Sequence, residues 1–319
     1  MEYRVEKDSL GELKVPASAY YGVQTQRAVE NYPISGLRPL RAFVRATIQI
    51  KKAAARVHKD LGLLPKDKAD AIVKASDEVL EGKLAEQFVV DIFQAGAGTS
   101  HNMNCNEVLA SRACELLGGM MGDAKLVSPN DHVNMGQSTN DVIPTAIRLA
   151  ALDVLPGLVK ACERLAGAYG KKAKEFDAIV KTGRTHLQDA VPVRLGQEIG
   201  AYGFNVGRHG KRLAESADGL RELGLGGSAA GTGLNVHQEY RARVAKALSE
   251  QTGEKLRMAG DYFEAMQSMR PIQDVAFAVQ SLCLDLTRQC NDMRLLCSGP
   301  LTGLAEIRLP AVQPGSSIM

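Results

Sequence analysis

Apolar positions in this chain recur mostly at intervals of three and four, the spacing of one face of a helix, and strand-like alternation is scarce. The pattern predicts helices over 41–61 and 66–82, punctuated by Gly62 and Pro65, and a third over 101–117 that ends at Gly118-Gly119. A long helix is expected over 137–176, beginning near Ser138; Pro144 fits its first turns, whereas Pro156 predicts a kink or a break. The fold class expected is mainly all-α.

Two later stretches carry sharper patterns. Over 194–223 the small residues Gly196, Gly200, Gly203, Gly207, Gly210, Ala214 and Ala217 alternate at spacings of four and three. Each glycine inside a helix costs about 1 kcal/mol against alanine, so their accumulation needs a return. That return is a smooth seam on which a neighbouring backbone lies unusually close. Over 273–298, Val275, Val279, Leu282, Leu286, Cys290, Met293 and Cys297 repeat at heptad spacing. They predict a long helix with a coiled-coil-like contact line, packed on partner helices and on other subunits. Turn-rich Ser128-Pro129-Asn130-Asp131 separates the short helices from the long ones. The expected division is 1–136, an N-terminal helical domain, and 137–319, a long-helix bundle domain.

Composition narrows the class. The 319 residues are 45% hydrophobic and 24% charged with a net charge of +3, which excludes a disordered chain. The absence of Trp and of any basic stripe argues against nucleic acid. The charged N-terminus lacks a secretory h-region, and no uninterrupted apolar run reaches the ~18 residues of a membrane span. Six cysteines without a CxxC pair fit a cytoplasmic protein with reduced thiols. Cys283, Cys290 and Cys297 stand seven apart, about 10 Å per step along a helix, too far to share one metal; they read as packing residues, and no metal site is expected.

Candidate chemistry lies in four polar segments: Gly96-Ala97-Gly98-Thr99-Ser100, Gln137-Ser138-Thr139-Asn140-Asp141, Gly183-Arg184-Thr185-His186-Leu187-Gln188, and Gly315-Ser316-Ser317. Hydroxyls, amides and a lone imidazole suit a small anionic substrate, and Ser138-Thr139-Asn140 can both cap a helix and present its free N–H groups to a carboxylate. Residues 181–188 have no helical period and read as a loop before the glycine-seamed helix. The glycine-rich stretch 224–233 lacks the Lys-Ser/Thr of a P-loop and reads as a tight connection between bundle helices.

Together these segments resemble the aspartase/fumarase superfamily over essentially the whole chain. The family's GSSxMPxKxNP loop is matched by Gly315-Ser316-Ser317-Ile318-Met319, where the sequence stops inside the signature, so an incomplete bundle and an inactive short form are expected. Gly-Arg-Thr-His-Leu-Gln at 183–188 and Gly-Thr-Gly-Leu-Asn at 231–235 also match. Thr139, Ala19-Tyr20-Tyr21-Gly22 and Gly96-Ala97-Gly98-Thr99-Ser100 look more like the ammonia-lyases of the family than its hydratases, while Ser128 and Gly136 depart from a common histidine and serine.

The resemblance implies elimination of ammonia from L-aspartate to give fumarate through a dianionic aci-carboxylate. It makes Ser316 the general base. Thr99, Ser138, Thr139 and Ser317 become donors to the reacting carboxylate, Thr185 and His186 hold the α-carboxylate, and Asn140 holds the amino group. No cofactor is required on this reading. The implied assembly is a homotetramer with active sites shared among subunits. Hydration of fumarate, and a non-catalytic structural member of the same family, are the alternatives.

Overall fold

The computed structural model describes residues 2–96 and 98–316. The chain begins with an antiparallel hairpin, β1 (Tyr3–Asp8) and β2 (Gly11–Pro16), followed by α1 (Val23–Asn31), α2 (Arg41–Asp60), α3 (Lys66–Leu80) and α4 (Thr99–Leu116). Next come α5 (Thr139–Glu175), the antiparallel pair β3 (Val180–Thr185) and β4 (Gln188–Arg194), and α6 (Leu195–Ser216). The short parallel strands β5 (Glu222–Leu223) and β6 (Arg257–Met258) flank α7 (Tyr240–Thr252); α8 (Tyr262–Gln267) and α9 (Arg270–Leu296) close the described helices.

The described residues form two compact units, one containing the residues up to Val154 with Ala217–Ile272, the other containing Leu155–Ser216 with the residues from Gln273 onward. In the first unit α2, α3 and α4 enclose a core that includes Ile48, Ala55, Ile72, Val108 and Leu109. The stripe Val44, Ile48, Ala55 on α2 also includes Lys51, at the spacing of core positions, and Lys51 is fully buried.

In the second unit the glycine seam does what its spacing predicts. A β-carbon placed on Gly196 would lie 2.3 Å from the Ala173 carbonyl oxygen, and one on Gly203 would lie 2.8 Å from Tyr169 Cβ. The α6 seam therefore carries α5 at a distance that side chains would forbid.

Four sequence expectations change. α5 runs on without a break at Pro156, and accommodates Pro144 in its first turns as expected. The stretch expected as a loop at 181–188 is instead most of a hairpin, because Val180–Thr185 pairs with Gln188–Arg194 around a two-residue turn. On α9 the positions buried within the chain are Pro271, Ala278, Leu282, Gln289 and Leu296, so of the predicted heptad line only Leu282 is buried here and Cys290 is exposed. Finally, although no uninterrupted apolar run suffices, α5 as a helix is long and apolar enough to cross a membrane by length and composition, with half of its most apolar 18-residue window buried within the fold.

Candidate functional site

Two helix N-termini meet in the first unit. α4 starts at Thr99 behind Gly98, whose backbone is left-handed (φ +87°) and whose missing side chain leaves room for Ile143: an added β-carbon would approach Ile143 Cγ1 to 2.9 Å. Only glycine meets both demands, and it brings the start of α4 against the first turns of α5. α5 starts at Thr139 and is capped by Ser138, whose hydroxyl accepts from the Asn140 N–H at 3.2 Å while the Ser138 N–H donates to Asp141 Oδ1 at 2.8 Å. This is a reciprocal cap of the Ser-x-x-acid kind.

Asp141 also fixes the glycine-rich stretch. Its Oδ2 accepts from the Gly226 N–H at 2.9 Å and the Ser228 N–H at 3.0 Å. Arg241 holds the same stretch through the Gly226 and Gly231 carbonyls. The 224–233 segment is thus a wall of the site as well as a connection. Burial raises the Asp141 carboxyl to about 6, outweighing the backbone N–H groups that favour its anion.

The result is a cavity of about 600 Å³ lined by Gly98, Thr139, Asn140, Ile143, Ala230 and Met266 among others. Its polar groups sit at the N-terminal end of α5, where free N–H groups and the helix dipole favour an anion. Asn140 Nδ2 donates to the Ala229 carbonyl at 2.8 Å, which leaves Asn140 Oδ1 as an acceptor. Another cavity of about 520 Å³ lies beside β1, but Glu6, Asp8 and Glu107 line it, a poor setting for a dicarboxylate.

Behind the α5 N-terminus lies a polar network that motif reasoning did not find. Lys51 Nζ donates to Asn102 Oδ1 (2.7 Å), Asn134 Oδ1 (2.8 Å) and Gln137 Oε1 (3.0 Å). Asn102 Nδ2 in turn reaches Thr139 Oγ1 at 3.4 Å. Burial pushes the Lys51 ammonium down to about 7 and the neighbouring His101 imidazole down to about 3, so His101 is neutral. The signal available in the sequence was a lysine at a core position of the α2 stripe.

The other predicted site residues lie in the second unit. Thr185 ends β3, and His186 and Leu187 form the hairpin turn with φ of +48° and +62°. Two non-glycine residues in left-handed geometry match a type I′ hairpin turn and mark a strained tip. Thr185 and His186 are exposed and make no side-chain hydrogen bond among the described residues. Lys181 and Arg184 of β3 pair with Glu306 at 2.6 and 2.5 Å. Ser316 is exposed, and Ser317 lies outside the described residues. The structure therefore gathers Ser138, Thr139 and Asn140 beside Gly98 and Thr99 in one unit, and holds Thr185 with His186 at a hairpin tip in the other.

A family model described as a lyase matches residues 11–319. Fumarate hydratase class II of Halobacterium salinarum is 54% identical over 319 residues, covering all of this chain and 68% of that protein. Aspartate ammonia-lyase of Bacillus subtilis is 48% identical over 318 residues, covering 100% of this chain and 67% of that protein. Among solved structures, the cobalt-bound fumarate lyase:delta crystallin of Brucella melitensis matches with a TM-score of 0.98 and 48% identity, over 100% of this chain and 70% of that one.

Proposed function

The chain belongs to the lyase family, within the aspartase/fumarase superfamily, and from that premise we propose that it eliminates ammonia from L-aspartate to give fumarate. The observation that carries the choice of substrate is Asn140. Its amide nitrogen is committed to the Ala229 carbonyl, leaving an oxygen to accept from an ammonium group at the edge of an anion-favouring helix N-terminus.

In this reading Ser316, as an alkoxide, removes a proton from the carbon next to the side-chain carboxylate. That carboxylate becomes a dianionic aci-carboxylate, so donors aimed at it act chiefly on the transition state and intermediate. Thr99, Ser138, Thr139 and Ser317 are those donors, Thr185 and His186 bind the α-carboxylate, and the C–N bond electrons leave with ammonia as fumarate's double bond forms. A serine hydroxyl is far too weak an acid to serve at neutral pH unaided, so the assembled site must supply N–H groups or positive charge. The reaction needs no cofactor. The copies assemble as a cytoplasmic homotetramer whose members share active sites, with α9 contributing to the contacts; exposed Phe277 and Leu284 supply apolar surface for them.

Hydration of fumarate is the second reading, favoured by the 54% identity to a fumarate hydratase. Fumarate absorbance, followed with L-aspartate and separately with L-malate on the protein, separates the two. Fumarate and ammonia from aspartate support the proposal. Fumarate from malate alone replaces it with the second reading.

A further inference from the structure

We propose that Lys51 is a positioning residue for this reaction: its ammonium fixes the Asn102 amide so that Asn102 donates to Thr139, leaving the Thr139 hydroxyl to donate into the cavity. The inference rests on reading Thr139 as a donor to the substrate carboxylate.

The geometry leaves little freedom. A lysine ammonium has three donors and no acceptor, and all three find side-chain amide oxygens, on Asn102, Asn134 and Gln137. Those three amides must therefore present oxygen to Lys51 and nitrogen elsewhere. Gln137 Nε2 goes to the Val133 and Met135 carbonyls, and Asn134 Nδ2 goes to the Gln137 carbonyl. Asn102 Nδ2 faces Asn134 Oδ1 at 3.3 Å and Thr139 Oγ1 at 3.4 Å. With its oxygen receiving a donor from behind, the Thr139 hydroxyl has its own proton to give, and no described residue takes it. Thr139 lines the cavity, while Lys51 and Asn102 are buried behind it. Lys51 never meets the substrate; it sets the direction of one hydroxyl through one amide.

Asn102→Asp tests this without dismantling the fold. The new carboxylate still accepts from Lys51, now as an ion pair, but it cannot donate to Thr139, whose proton turns inward. The expected result, below about pH 7 where Lys51 carries its proton, is a fall in kcat of about 100-fold, the usual loss of one oxyanion donor, with a much smaller change in KM and a melt that stays cooperative. Lys52→Met, at the neighbouring lysine that pairs with Asp77, leaves kcat unchanged. Wild-type kcat in Asn102→Asp would overturn the relay.

Succinate titration by calorimetry needs no turnover and reads the same chain of contacts. Asn102→Asp and Thr139→Val each weaken binding about tenfold, and combined they lose no more than either alone; additive losses overturn the relay. A wild-type protein that makes fumarate from neither aspartate nor malate overturns the reaction and leaves this titration to judge the relay. Absence of succinate binding by wild type overturns both.

Discussion

The start of α5 and the tip of the β3–β4 hairpin both carry hydroxyl-rich segments, yet they are built in opposite ways. At the α5 start every predicted residue is tied in. Ser138 caps the helix, Asn140 holds a carbonyl, and Thr139 receives the Lys51–Asn102 pair from behind. At the hairpin tip Thr185 and His186 are exposed in a strained turn. One region is hydrogen-bonded within the chain, and the other leaves its hydroxyl and imidazole exposed. That contrast is what the proposed sharing of active sites between copies requires: preorganised oxyanion donors on one surface, adaptable carboxylate-binding groups on another.

Ser316→Ala should cost the most activity. On the proposed mechanism it removes a general base worth about 10²–10⁴ in rate, so turnover falls by at least that range while succinate binding and Tm persist. Near-normal turnover would remove Ser316 from the mechanism.

A stability contrast comes next. Asp141→Ala abandons the Gly226, Ser228 and Ser138 N–H groups, at a cost of about 3 kcal/mol by the usual range for buried unsatisfied donors. Its Tm should fall by several degrees in a thermal melt. His186→Ala, at an exposed tip, leaves Tm within a degree or so of wild type and lowers only affinity for substrate. Equal Tm losses in the two variants would erase the distinction between the regions.

The smallest effect is a slope. Lys51 has a folded pKa of about 7 against an ordinary value of 10.5. Between those values the unfolded chain binds one more proton than the folded one, so stability rises with pH there. The penalty for burying the charge is fully present below about pH 7 and is relieved above it. Denaturant unfolding across this window shows that rise in wild type, and Lys51→Met loses its share of it.

Much of the scaffold was legible because helix periodicity survives in a single sequence. The starts of α2 and α3 fall where the pattern put them, and the α6 glycines lie against α5 as their spacing demands. The hairpin was missed because Thr182-Gly183-Arg184-Thr185 and Pro192 hide its alternation, and pairing across a turn is a tertiary fact. Ser138, Thr139 and Asn140 were legible as a cap, since capping is local chemistry. Lys51, Asn102 and Asp141 were not, because each sits inside or at the start of a helix as an ordinary polar residue. Only the packing of α2, α4 and α5 turns them into a network. The role of 224–233 as a wall was hidden for the same reason: Asp141 reaches it across 85 and 87 positions of sequence.

On the proposed function the cavity at the starts of α4 and α5 receives the substrate carboxylate. A crystal structure of the protein with succinate bound is the decisive measurement. One carboxylate is expected within about 2.7–3.1 Å of the Thr139 hydroxyl, beside Asn140. Succinate seated elsewhere, with the Thr139 hydroxyl and the Asn140 amide untouched, would contradict it.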